Sequence, residues 1–164
     1  MNQKVYSRAL EIQARFRTNG PTCPRAEGET EAQWSGRGTY YVTLKRMDNN
    51  REFFQKVLKL QPRFMAVFGP ETEKIFSELN NARVHVQVSA TSLMRRHGSA
   101  EPCSKAKAKR HAQLEADIWG GLDDEAPEGD RVGRHLEAFK SGIVEVCRPV
   151  VDREFGAKPK RWAI

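Results

Sequence analysis

The sequence predicts an all-α fold, an antiparallel bundle of about five helices with a long N-terminal loop. Three observations carry that expectation. Apolar residues recur at spacings of three and four along most of the chain, which places them on one face of a 3.6-residue period. Glycine and proline pairs punctuate the periodic stretches at Gly20-Pro21, Gly69-Pro70 and Gly120-Gly121. With 38% apolar and 30% charged residues, the chain suits a modest core beneath a heavily solvated surface. At 164 residues it is one domain, long enough to bury about two-thirds of its unfolded surface without metal or disulfide staples. The bundle is expected over residues 1–155, followed by a basic tail at 156–164.

The densest apolar stretch, Pro62 to Pro70, organises the rest. Phe64, Met65, Val67 and Phe68 lead into Gly69-Pro70, a pair that stops one helix and lets another begin. The stretch therefore reads as the corner of a helical hairpin. Upstream, Val5, Ala9, Ile12 and Phe16 are spaced as an amphipathic helix of about four turns. Residues 20–38 hold four Gly and two Pro with no period, so they read as a long loop. Trp34 is expected to fold from it onto the core, because a large ring gains from burial.

From Thr39 the helical seam resumes as Tyr40, Leu44, Met47, Phe54 and Leu58. Pro62 lacks a backbone donor and crowds the carbonyl of Leu58, so a kink or restart is expected near residues 59–63. After Pro70 the seam Ile75, Leu79, Ala82, Val86, Ser89, Leu93 predicts another helix. Inside it, Val84, Val86 and Val88 alternate like a half-buried strand. The unbroken helical seam decides for helix. Arg95, Arg96 and His97 ahead of Gly98 suit a helix C-terminus.

A fourth helix is expected from about Pro102 to Trp119, stopped by Gly120-Gly121, with an acidic loop over 120–131 after it. The last helix carries the cleanest seam, Val132, Leu136, Phe139, Ile143, Val146 and Val150. Pro149 is expected to distort its end. The core should gather Phe64, Phe68, Leu79, Val86, Leu136, Phe139, Ile143 and Val146.

Four strings lie along this frame: Arg63-Phe64-Met65-Ala66-Val67-Phe68-Gly69, Glu78-Leu79-Asn80, Glu115-Ala116-Asp117-Ile118-Trp119 and Glu145-Val146-Cys147-Arg148-Pro149. Through them the chain resembles a loosely defined group of uncharacterised bacterial helical proteins. The resemblance implies a helical bundle in a bacterial cytoplasm and lends no catalytic residue to any position. Many members of that group carry an N-terminal membrane anchor. Residues 1–17 here mix charge with apolar residues, so neither an anchor nor a signal peptide is expected. No spanning helix is expected either, since the longest uncharged apolar-leaning run covers residues 84–94, well short of the roughly 20 residues a bilayer requires.

Catalytic patterns are few. His85, His97, His111 and His135 have no acid three residues before them, unlike the ligand pairs of di-metal bundles. Cys23, Cys103 and Cys147 are scattered and odd in number, which disfavours a disulfide framework or a zinc knuckle. Cys147 adjoins the last seam and reads as an inert, partly buried thiol. The expectation is a protein that is not an enzyme and uses no cofactor or metal.

Charge is the informative feature. Residues 83–110 hold seven Lys or Arg and one acid, a block of +6, whereas residues 111–130 hold seven acids and no Lys or Arg, a block of −7. The whole chain carries +7. Two readings follow. The first is a cytoplasmic interaction or accessory module that binds a protein partner. The second binds nucleic acid or an anionic membrane surface through Arg95, Arg96, Lys105, Lys107, Lys109 and Arg110 with Lys160, Arg161 and Trp162 of the tail. Against the second, the cations of the fourth helix point around it rather than along one face. The expectation is that they answer the neighbouring acidic block.

Overall fold

The computed structural model describes residues 23–96, 104–120 and 128–156, and the predicted helix over residues 5–16 and the basic tail lie outside them. Among the described residues the fold is built from helices alone: α1 (Glu31–Asn49), α2 (Arg51–Phe68), a 3-10 turn (Pro70–Thr72), α3 (Glu73–Arg96), α4 (Lys105–Trp119) and α5 (Arg131–Phe155).

α3 is the hub, packing on α1, α4 and α5, and α5 is its most extensive neighbour. The contacts between α3 and α5 fix their direction: Ile75 meets Gly142, Phe76 meets Phe139, and Glu78 and His85 both meet His135. Residue numbers rise on one helix as they fall on the other, so the pair is antiparallel. Gly142 permits the close approach, because a Cβ there would stand 2.9 Å from Ile75 Cγ1.

The helix over Val84–Val88 is the outcome the seam predicts. In it Val84 and Val88 face solvent, and Ala82, Ser89, Ala90 and Leu93 are buried. The Gly69-Pro70 corner is also as expected. Gly69 has φ 102 and ψ 155, a region that only glycine enters without strain. Its N–H donates to the Met65 carbonyl at 2.9 Å.

Three expectations need correction. The expected 20–38 loop ends at Thr30, and residues 31–38 are the first turns of α1. A capping box outweighs the two glycines there: Gln33 N–H donates to Thr30 Oγ1, and Gln33 Oε1 accepts from Thr30 N–H. Gly38 lies beneath Cys23, where a Cβ would be 3.9 Å from the Cys23 Cβ. The Trp34 ring donates from Nε1 to the Cys23 carbonyl at 2.7 Å, with the Arg25 guanidinium 6.0 Å above it. Arg37 clamps the same segment through the Glu29 carboxylate and the Pro24 carbonyl. Those Arg37 bonds pull the Glu29 pKa down to about 2.

No restart occurs near residues 59–63, since α2 runs through Pro62, and the helix break falls at Asn50. Asn50 accounts for this, since its side-chain amide and its backbone N–H both donate to the Arg46 carbonyl and close off α1.

The core also sits elsewhere. Of the eight residues expected there, only Leu79 is buried, Leu136 is exposed, and the other six are half-buried. The deepest cluster is Tyr40, Ala90, Leu93 and Leu114, with Leu44, Met94, Ile118 and Trp119 against it. Small residues mark this depth, since Ala82, Ala90, Ala112 and Ala116 are buried and let the backbones approach. The expected aromatics form a second, shallower layer in which Phe76 meets Phe64 at 5.4 Å and Phe139 at 6.1 Å.

Candidate functional site

Two features bear on function, an internal polar cluster between α3, α4 and α5 and the exposed first half of α4. The cluster is centred on Asp117, whose side chain is 0% exposed. Its Oδ2 accepts from Ser89 Oγ at 2.5 Å and from Arg131 Nη2 at 2.7 Å, and its Oδ1 accepts from Arg131 Nε at 2.7 Å and Gln113 Nε2 at 3.2 Å. Burial pushes the Asp117 pKa up, but the bonds from Arg131, Ser89 and Gln113 outweigh it and leave the carboxyl below its ordinary value. Gln113 also reaches the chain ahead of α5, donating to the Gly129 carbonyl and accepting from Glu128 N–H. Asp130 caps α5 by accepting from Gly133 N–H at 2.7 Å.

Beside this centre, His135 Nδ1 lies 2.6 Å from Glu78 Oε2, and its ring stacks on His85 at 5.3 Å. Burial, and then the Arg131 charge, lower the His85 pKa. The residue types are those of acid–base catalysis, and within the centre Ser89 and Asp117 serve packing. Ser89 is fully buried and gives its hydroxyl to Asp117, so no substrate reaches that oxygen. Asp117 in turn is saturated by four donors. The arrangement locks the register of three helices with one carboxylate.

α4 divides in two. Residues 104–111 are all exposed, whereas Ala112, Gln113, Leu114, Ala116 and Asp117 are buried. Ser104 caps the helix by accepting from Lys107 N–H, so it begins at Lys105, and Gly120 ends it with φ 80. Lys105, Lys107, Lys109 and Arg110 all lie on the exposed half, and no acid lies there with them.

The described acids of the neighbouring block have partners in the bundle, and its residues 121–127 lie outside the described residues. Asp117 and Glu128 bind Arg131. Glu115 accepts from the Tyr40 hydroxyl and from Trp119 Nε1, with His111 at 3.7 Å. Helix phase places Glu115 and Asp117 in the half of α4 that turns into the bundle, and Glu128 lies beyond it, ahead of α5. Arg95 is exposed and Arg96 half-buried at the end of α3, and Lys160, Arg161 and Trp162 lie outside the described residues. Cys147 is half-buried on α5. Among the described residues no group of three or more His, Cys, Asp or Glu is placed to hold a metal ion, and no helix is long and apolar enough to cross a membrane.

The polar cluster was not singled out from sequence. Gln113 and Asp117 are four residues apart and flank Leu114 and Ala116 on a helix whose other buried residues are apolar. That interleaving was its only local sign, and Arg131 is brought to it by the fold. No protein-family model, no curated protein and no solved structure matches this chain.

Proposed function

We propose that the chain is a non-enzymatic interaction module of a bacterial cytoplasm that engages an acidic protein surface. One observation carries this reading. The first two turns of α4 are exposed throughout and present four cations without an acid, while the acids of the second half are held by groups of the bundle. A half-helix that adds nothing to the core and keeps a single sign of charge is suited to steering an anionic partner. The same observation favours nucleic acid as the second reading, although cations distributed around a helix follow neither a groove nor a strand.

A photo-crosslinking residue at position 106 should capture a protein. Replacing Lys105, Lys107, Lys109 and Arg110 by Gln should abolish that capture and leave the thermal midpoint nearly unchanged. Tight binding of duplex or single-stranded nucleic acid at about 0.15 M salt, lost in the same variant, would overturn the protein-partner reading.

A further inference from the structure

α2 is the one long helix of the hairpin that buries no residue. Its inner residues, Phe54, Val57, Leu58, Phe64, Met65 and Phe68, are half-buried, yet three further large apolar side chains stand outside: Phe53 at 59% exposure, Leu60 at 52% and Val67 at 74%. These three are seven residues apart and so lie in a line along the helix, about 10 Å from one to the next. Lys56 and Arg63 fall between them, both exposed, giving the stripe 53, 56, 60, 63, 67 at spacings of three and four. Lys59 flanks that line and is also exposed. Across α2 the cations are Arg51, Lys56, Lys59 and Arg63 against a single acid, Glu52.

The alternation selects the occupant. A partner helix seated on this stripe would bury Lys56 and Arg63 among the apolar contacts, and buried charges destabilise an interface unless each is paired with good geometry. A second copy of the chain would set these cations against their own kind. At a bilayer surface neither difficulty arises. Phe53, Leu60 and Val67 enter the boundary between headgroups and acyl chains, and the long stems of Lys56 and Arg63 carry their charges back up to the headgroup phosphates and carboxylates. We propose that the outer face of α2, formed by Phe53, Lys56, Leu60, Arg63 and Val67, is a docking surface for an anionic lipid bilayer. This goes beyond the reading of α4 as a protein-binding half-helix, and neither depends on the other.

The test is co-sedimentation of the full chain with phosphatidylcholine vesicles containing about one-quarter phosphatidylserine, compared with phosphatidylcholine alone. The chain should bind the anionic vesicles, bind the neutral ones far less, and release as salt is raised. Replacing Phe53, Leu60 and Val67 together by Ser should lower binding by at least about tenfold with the thermal midpoint unchanged, since three exposed side chains leave the core intact. K56Q/R63Q should lower it about 30-fold, the effect of two cations near the surface. The four-Gln variant of α4 separates the two proposals, because its residual vesicle binding should still depend on Phe53, Leu60 and Val67. Failure to bind anionic vesicles would overturn the proposal. So would vesicle binding indifferent to the Ser substitutions, or a stripe that proves necessary only for self-association or for an acidic helical protein.

Discussion

Removing the Asp117 carboxylate should be among the most damaging single changes available to this chain. In Asp117→Ala the Arg131 guanidinium loses both bonds of its bidentate pair, and the buried Ser89 hydroxyl and the Gln113 amide lose the same acceptor. Breaking one side of a buried ion pair costs about 3–5 kcal/mol, because the partner is left uncompensated. For a chain of this size that lowers the midpoint of thermal unfolding by on the order of 10 °C. Arg131→Met should cost a comparable amount, since it strands a carboxylate with no exposed surface. The double replacement Asp117→Leu with Arg131→Met should recover part of the loss, because an apolar pair removes the desolvation penalty of the two charges, while the buried Ser89 and Gln113 still lack their acceptor. Urea titrations followed by circular dichroism of the wild type, Asp117→Leu, Arg131→Met and the double variant give the four free energies of the cycle, with a coupling of about 2 kcal/mol or more expected. Acid supplies an independent arm. The folded-state pKa of Asp117 is depressed, so its contribution is present above the unfolded pKa of about 4 and is lost as pH falls through the folded value. The double variant should therefore lose less stability below about pH 4 than the wild type. Singles that add without coupling, or an Asp117→Ala cost below about 1 kcal/mol, would refute the argument that one carboxylate locks the three helices.

Gly69→Ala should lower stability by about 1–3 kcal/mol, since φ 102 with ψ 155 strains any side chain; an unchanged urea midpoint would show that the corner relaxes to ordinary dihedrals. Gly142→Leu should destabilise by about 1–3 kcal/mol through overpacking against Ile75, and Ile75→Ala in the same chain should relieve part of that cost, as read by thermal melts of the single and double variants. Tyr40→Phe should cost about 1.5–3 kcal/mol by removing a hydrogen bond to the Glu115 carboxylate. Burial and then the Glu115 charge raise the Tyr40 pKa, so wild-type stability should be intact below the unfolded pKa of about 10 and decline as pH rises above it. An alkaline titration of unfolding should show a shallower decline for Tyr40→Phe.

Helix periodicity and punctuation carried most of the fold, because both are local. Gly69-Pro70, Gly120 and the seams of α3 and α5 could each be read within a window of a few turns. The start of α1 was also written locally, in the Thr30 to Gln33 capping box, but two glycines nearby outweighed it as signals of loop. Depth was harder to read, since it depends on how closely helices approach. Large residues at seam positions, such as Phe139 and Ile143, marked the packed face of α5 but not the most buried layer, which holds Ala90 and Ala116. The polar cluster was illegible for a different reason. Asp117, Arg131 and Ser89 come from three helices, and their charges counted in sequence only as parts of blocks. The acids near the end of α4 likewise have tertiary partners, with Asp117 held by Arg131 and Glu115 by Tyr40 and Trp119.

The breaks at Asn50 and Gly69 enclose a helix that buries no residue and packs only lightly on α1 and α3, which should place α2 at the low end of the local stability scale. Its amide protons can exchange with solvent through an opening that pivots at those two positions and leaves the Tyr40, Ala90, Leu93 and Leu114 layer closed. The amides of α3 from Ser89 to Leu93, in contrast, lie where α1, α4 and α5 converge, so they exchange only when the whole domain unfolds. The chain thus holds two levels of cooperativity within one hairpin, a loosely held arm joined through a single glycine to the most protected helix of the bundle.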